Sequence, residues 1–90
     1  MKELMHEIKQ TIGNKIFSVS FVKKDGTLRE MVCRFGVTKH LKGGEMNHDP
    51  MELGHLVVFD MTKTGYRTIN FNTIKQIKFE GKTYNFEEEL

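Results

Sequence analysis

The stretch that decides the fold of this chain is Gly65-Tyr66-Arg67-Thr68-Ile69-Asn70-Phe71-Asn72-Thr73-Ile74, at positions 65–74. Alternation along its first part predicts a strand, Asn72-Thr73 predicts a tight turn, and Ile74 begins a further strand. Arg67 stands where the alternation calls for an apolar residue. Since a guanidinium pairs well with phosphate and carboxylate oxygens, this position points to an anionic ligand.

The segment before this stretch predicts its hairpin partner. His55 to Met61 reads as a strand, and Thr62-Lys63-Thr64-Gly65 reads as the connecting loop. Pairing Met61 with Tyr66 gives one coherent inward face, with an ion pair at its rim. In this register the predicted partners are Asp60 with Arg67, Val58 with Ile69, and Leu56 with Phe71.

A first hairpin is predicted between Lys15 and Phe35. Phe17, Val19 and Phe21 alternate with serines, and Lys24-Asp25-Gly26 fits a three-residue loop in which Gly26 takes the left-handed position. This loop keeps one face apolar, whereas a two-residue Asp-Gly turn would mix the faces. The expected partners are Phe17 with Cys33 and Val19 with Met31.

The remaining segments complete a small barrel behind one short helix. Apolar residues at helical spacing predict a helix over about 2–12 that stops at Gly13. Residues 37–41 fit one helical turn and 42–54 a long loop, of the kind that is often functional. Ile74 to Phe79 predicts a fifth strand, and Gly81-Lys82 a last turn into 83–86. The sequence predicts a mainly β, five-stranded antiparallel SH3-like barrel of the Sm-like kind, preceded by the helix.

Composition describes one small domain with a basic body. The chain has 90 residues, which we divide into the helix, a barrel over about 15–86 and an acidic tail over 87–90. Without Glu87, Glu88 and Glu89, the 14 Lys and Arg face nine acids (12 minus three), which favours anionic partners. One cysteine, no signal pattern and no long apolar run predict a reducing, cytosolic setting without a membrane.

Three segments of the chain resemble a known family. They are residues 21–31, 36–44 and 65–70, which read FVKKDGTLREM, GVTKHLKGG and GYRTIN. In this order they are similar to the WYL-like, Sm-type small barrel proteins of tailed bacteriophages, over roughly residues 16–84. His55 to Asp60 corresponds to the strand that names the WYL group and Arg67 to Ile74 to its arginine strand, although the chain has no tryptophan and lacks the Trp-Tyr-Leu signature.

The resemblance implies a barrel related to ligand-sensing domains that bind nucleic acid or nucleotides through basic residues. It also implies that loops between strands contact single-stranded RNA, as in Sm-like barrels, and that edge strands pair into homo-oligomers. Our candidate ligand contacts combine the arginine strand, the basic start of the long loop and the second hairpin. They are Arg67, Arg34, Lys39, His40, Lys42, Gly43, Gly44, Lys63 and Tyr66.

Two features of this candidate site have alternative interpretations. Arg67 binds the anion, or it is a structural partner of Asp60, and the basic loop binds phosphate or is merely solvated. The outer side of the second hairpin is also apolar, at Val57, Phe59 and Met61. Either the amino-terminal helix covers these residues, or they form a subunit interface or a stacking platform.

Catalytic and metal sites find little support. His40, His48 and His55 have irregular spacing, and Ser18 and Ser20 lack a recognisable catalytic arrangement. We therefore expect no enzyme activity, no metal and no cofactor, with Cys33 packed in the core. The sequence predicts a phage accessory protein in the host cytoplasm that binds single-stranded nucleic acid. The alternatives are sequestration of a nucleotide or cyclic-nucleotide signal, as a sponge against host defence, and inhibition of a host enzyme through protein binding.

Overall fold

The computed structural model describes residues 2–36 and 50–86. Helix α1 spans Lys2–Ile12, and short 3₁₀ turns occupy Pro50–Leu53 and Phe71–Thr73. The strands are β1 Phe17–Val22, β2 Leu28–Phe35, β3 His55–Asp60, β4 Gly65–Asn70, β5 Ile74–Phe79 and β6 Lys82–Asn85. The predicted mainly β fold with one amino-terminal helix is confirmed.

The strands form one antiparallel sheet in the order β4-β3-β2-β1-β5-β6. It has six strands rather than the five predicted for the barrel. The additional strand follows the last predicted turn, where Glu80 and Gly81 have φ angles of +47° and +81°. This turn lets β6 pair along β5, and the Phe86 amide extends the pairing to the Lys75 carbonyl at 2.9 Å.

The register of the first hairpin is confirmed. Phe17 lies opposite Cys33 and Val19 opposite Met31, and Gly26 has a φ of +89°. The Lys23 amide donates to the Thr27 carbonyl at 2.8 Å and closes the three-residue loop. The side chain of Asp25 accepts from the backbone amide and the hydroxyl of Thr27 at 3.0 and 2.7 Å, which holds the turn.

The predicted register of the second hairpin is wrong by two residues. Asp60 pairs with Gly65 and Phe59 with Tyr66, so that Arg67 lies opposite Val58 rather than Asp60. The reason is a shorter strand β3, which ends at Asp60. Its carboxylate Oδ1 accepts from the backbone amides of Thr62 and Lys63 at 2.9 and 3.1 Å. These bonds end the strand at Asp60, so the loop covers 61–64 instead of 62–65. Because both ends of the loop move by one residue, the pairing shifts by two.

The core lies on the inward face of the sheet and includes the helix. Met5, Ile8 and Ile12 are at most 1 % exposed and join a cluster with inward residues of β1, β2, β3 and β5. The helix ends as predicted, because Gly13 has a φ of +64° and donates to the Lys9 carbonyl. Since its apolar side is buried in this cluster, the interpretation that the helix covers the outer side of the second hairpin is wrong.

The described end of the long loop has its own structure. The 3₁₀ turn at Pro50–Leu53 buries Met51. The Glu52 carboxylate oxygens lie 3.3 Å from Nζ of Lys2 and 3.5 Å from Nε2 of His6. This segment therefore anchors the amino terminus of α1. The helical turn predicted over 37–41, the loop over 42–49 and the acidic tail over 87–90 lie outside the described residues.

Candidate ligand-binding surfaces

An arginine and two aromatic rings line up across three neighbouring strands on the outer face of the sheet. Arg34 of β2 pairs with Phe59 of β3, which pairs with Tyr66 of β4. The Arg34 guanidinium lies 5.5 Å from the centre of the Phe59 ring, and the Phe59 and Tyr66 rings meet edge to face at 5.1 Å. We call these three side chains the aromatic platform.

The aromatic platform is open to solvent at Tyr66, whose exposed fraction is 64 %. Gly36, just after β2, makes room for this ring. A Cβ atom added at Gly36 would lie 2.9 Å from Cγ1 of Val57 and 3.2 Å from Cε1 of Tyr66. The absence of a side chain at Gly36 therefore leaves room for the Tyr66 ring to lie across β3 while most of this side chain stays open to solvent.

A second constellation lies at the rim of the inward face, where β3 ends. Asp60 is fully buried, and Nη2 of Arg29 donates to its Oδ2 at 3.1 Å. Nε of Arg67 lies 3.9 Å from the same oxygen, which is an ion-pair distance too long for a hydrogen bond. We call Arg29, Asp60 and Arg67 the rim cluster.

The contacts of Asp60 keep its carboxylate ionised. The backbone amide of Lys63 lowers the pKa of Asp60, and the amide of Thr62 and the charges of Arg29 and Arg67 act in the same direction against the effect of burial. Arg29 is the tighter partner, because its side chain is 20 % exposed against 42 % for Arg67. The buried negative charge of Asp60 is thus compensated largely by Arg29 and the two loop amides.

Arg67 also lines a groove beside the edge strand β4. The groove has a volume of about 520 Å³, within the size range of small-molecule sites. Its lining combines three cationic residues with hydroxyl, amide and apolar groups. The lining residues are Phe21, Val22, Lys23, Lys24, Arg67, Thr68, Ile69, Asn70 and Thr73.

The structure brings some of the predicted site residues together and separates others. Arg34 and Tyr66 share the aromatic platform, whereas Arg67 lies on the opposite face of β4 in the rim cluster. Lys63 is exposed in the loop after β3 and contributes its backbone amide to Asp60. Val57, Phe59 and Met61 are half-buried. The predicted contacts Lys39, His40, Lys42, Gly43 and Gly44 lie outside the described residues.

The sequence analysis missed Arg29, Lys23 and Lys24. A signal for Arg29 was present, because the confirmed register of the first hairpin places it opposite Phe21 on the inward face. A cation at such a position predicts a buried anionic partner. Lys23 and Lys24 read only as turn residues, and their proximity to Arg67 follows from the pairing of Phe21 with Ile74, which brings the end of β1 beside the turn after β4.

Cys33 is packed in the core, as predicted. Its thiol is fully buried opposite Asp60, and burial, reinforced by the Asp60 charge, raises its pKa to about 12. Within residues 2–36 and 50–86, no three His, Cys, Asp or Glu side chains lie close enough to hold a metal ion together. Over the same ranges, no helix has the length and apolar character needed to cross a membrane.

Comparison with known proteins identifies the family of this chain. The sequence model of the WYL_2 family, described as an Sm-like SH3 beta-barrel fold, matches residues 5–75. This range includes the helix from Met5 onward and the first four strands. No curated protein and no solved structure matches the chain.

Proposed function

Because this chain belongs to the WYL_2 family of Sm-like SH3 β-barrels, we propose that it is a non-enzymatic module that binds single-stranded nucleic acid on the aromatic platform. The observation that carries this proposal is the row of Arg34, Phe59 and Tyr66 across three strands. Stacking on such a ring is available to every base, and an arginine beside it contacts the backbone or stacks in turn.

The described charges favour a polyanion at this side of the sheet. Arg34 lies on the platform and Lys63 follows β3, whereas Arg67 lies on the opposite face of β4 and is not part of this set. The body of the chain carries an excess of basic residues. These positions fit a strand whose bases stack on Tyr66 while its phosphates follow the neighbouring cations.

The test is binding of fluorescently labelled single-stranded RNA and DNA, followed by anisotropy. We expect affinity to fall about tenfold between about 50 mM and 200 mM salt, as for a ligand with a few phosphate contacts. Tyr66→Ala should weaken binding about tenfold or more, because it removes one stacking ring, and Tyr66→Phe should retain the affinity.

Leu28→Ala is the matched control. Leu28 is 66 % exposed, close to the 64 % of Tyr66, and it lies on the outer face of β2 far from Arg34. Its truncation should leave the affinity unchanged. Equal effects of Leu28→Ala and Tyr66→Ala, or no binding of either nucleic acid at low salt, would reject the platform as the binding site.

The biological setting of this proposal is a bacteriophage accessory protein acting in the host cytoplasm, which rests on the resemblance of residues 21–31, 36–44 and 65–70. Self-association through the edge of β4 belongs to the same proposal. Native mass spectrometry of protein purified from infected cells tests both points, since it reports the subunit number and any retained nucleic acid or nucleotide. Inhibition of a host protein instead predicts that Phe59→Asp abolishes capture of one defined partner while Arg67→Ala preserves it.

A further inference from the structure

The groove beside β4 differs from the aromatic platform in the charge that it offers. Among the residues that the structure describes, Lys23, Lys24 and Arg67 line it, and no carboxylate does. Two neighbouring acids are already engaged: Asp60, which lies 3.9 Å from Arg67, is held by Arg29 and two amides, and Asp25, next to Lys24, accepts from Thr27. Three cationic residues therefore line one groove, and none of the described lining residues is acidic.

The positive charge of these three residues exceeds the single negative charge of one internal phosphodiester group. An internal phosphodiester carries a single negative charge, whereas a terminal phosphate carries about 1.5 to 2 near neutral pH. The groove also offers neutral donors from the Thr68 hydroxyl and the Asn70 amide, whereas the Thr73 hydroxyl already donates to the Asn70 carbonyl at 2.7 Å. The Asn70 side-chain oxygen accepts from the Asn72 amide at 3.0 Å, which leaves the amide nitrogen of Asn70 as its donor end.

The groove is continuous with the outer face. Arg67 and Thr68 are consecutive residues of β4 whose side chains belong to opposite faces, and both line the groove. This happens because β4 is the edge of the sheet. A chain that stacks on Tyr66 can therefore pass around β4 and place its end beside Arg67.

We propose that the groove lined by Lys23, Lys24 and Arg67 is a site for a terminal phosphate, a phosphomonoester dianion. The proposal extends the proposed function, since one source of this group is the phosphorylated end of a bound strand. The other source is a free mononucleotide, for which the same groove is large enough.

The first experiment compares three oligonucleotides of one sequence, with a 5′-phosphate, a 3′-phosphate or two hydroxyl ends. We expect the full chain to bind one phosphorylated form about tenfold more tightly than the hydroxyl form. The double variant Lys23→Gln/Lys24→Gln should lose this preference. Equal affinity for all three forms would overturn the terminal-phosphate site, and Tyr66-dependent binding of the hydroxyl form would still support the proposed function.

The matched control is Lys78→Gln/Lys82→Gln, which removes the same charge from exposed lysines that line a different groove. It should lower affinity for all three oligonucleotides equally and keep the preference for the phosphorylated end. Loss of the preference in this control would attribute it to net charge and overturn the proposal.

A second measurement is independent of strand binding. Inorganic phosphate, or a nucleoside monophosphate, should raise the melting temperature of the wild-type chain by several degrees more than that of Lys23→Gln/Lys24→Gln. The difference between the two proteins removes the general stabilisation by phosphate salts. Equal shifts would overturn the site. A mononucleotide that binds as tightly as the phosphorylated strand would support the groove and count against the single-stranded function.

Discussion

The rim cluster and the aromatic platform use arginine in opposite ways, although consecutive residues of β3, and again of β4, belong to one and to the other. In the rim cluster, Arg29 and Arg67 face a buried carboxylate that must be neutralised. On the aromatic platform, Arg34 lies over the Phe59 ring, which makes no comparable demand. An arginine paired with a buried carboxylate has its charge neutralised within the fold and chiefly stabilises it. An arginine packed on an uncharged ring is not neutralised by that contact, so its charge can still attract an anionic ligand.

Arg67 stands between these two cases. It shares Asp60 with Arg29, but from 3.9 Å rather than 3.1 Å and with twice the exposed fraction. The two arginines of the rim cluster therefore differ in how firmly Asp60 holds them, and this difference bears on whether each one is a structural partner or a ligand contact. Arg29 is placed for the structural role, and Arg67 for a role in which an incoming anion competes with Asp60.

The largest expected effect is that of Asp60→Ala. This change removes the acceptor of two loop amides and leaves Arg29 without its partner, so the melting temperature should fall by about 15 °C or more. Arg34→Ala, the matched change on the aromatic platform, should lower it by less than about 2 °C. Comparable losses in thermal unfolding would contradict the assigned division between the two regions.

A smaller contrast is expected inside the rim cluster. Arg29→Ala should lower the melting temperature by about 8 °C, because it breaks a hydrogen-bonded pair with a buried carboxylate. Arg67→Ala should lower it by less than about 2 °C, since its ion pair is longer and more exposed. If Arg67→Ala is the more destabilising variant, Arg67 is chiefly a structural partner of Asp60. Both variants are measured by calorimetry under one buffer condition.

The smallest change tests the aromatic platform without altering its charge. Gly36→Ala places a methyl group 2.9 Å from Val57 and 3.2 Å from Tyr66, so we expect a loss of about 5 °C and a displaced ring. Nucleic-acid affinity should fall with it, although no contact residue has been replaced. Gly13→Ala is a useful comparison, because it meets no atom within 4 Å but has a φ of +64°. It should lose stability through the backbone alone and keep its affinity.

Much of the fold was predictable because its signals are local. The helix bounds follow from apolar spacing and Gly13, and the first hairpin from an apolar face that only one loop preserves. The second hairpin was predicted, but its register was wrong for a physical reason. A shift of two residues leaves every side chain on its original face, so hydrophobic alternation does not distinguish the two registers. The Asp60 cap distinguishes them, and its effect depends on the loop geometry.

The candidate site was predictable in part. Tyr66 and Arg67 are both visible in the sequence, but adjacent residues of a strand lie on opposite faces, so they belong to two different surfaces. The grouping of Lys23 and Lys24 with Arg67 depends on the pairing of β1 with β5 beside the turn after β4, and no local pattern encodes this long-range pairing. Arg29 is predictable from the register of the first hairpin alone, because that register places a charged residue opposite Phe21 on the inward face.

The buried thiol of Cys33 gives this protein an internal reporter of opening. A thiol reagent needs the thiolate, and in the native state burial withholds both access and ionisation from Cys33. Labelling at neutral pH must therefore proceed through molecules in which β2 has transiently separated from the helix or from β3. Because Asp60 lies opposite Cys33, the labelling rate reads the opening equilibrium of the strands that carry the rim cluster. A bound anion that tightens the rim would be seen as slower labelling of a residue that it never touches.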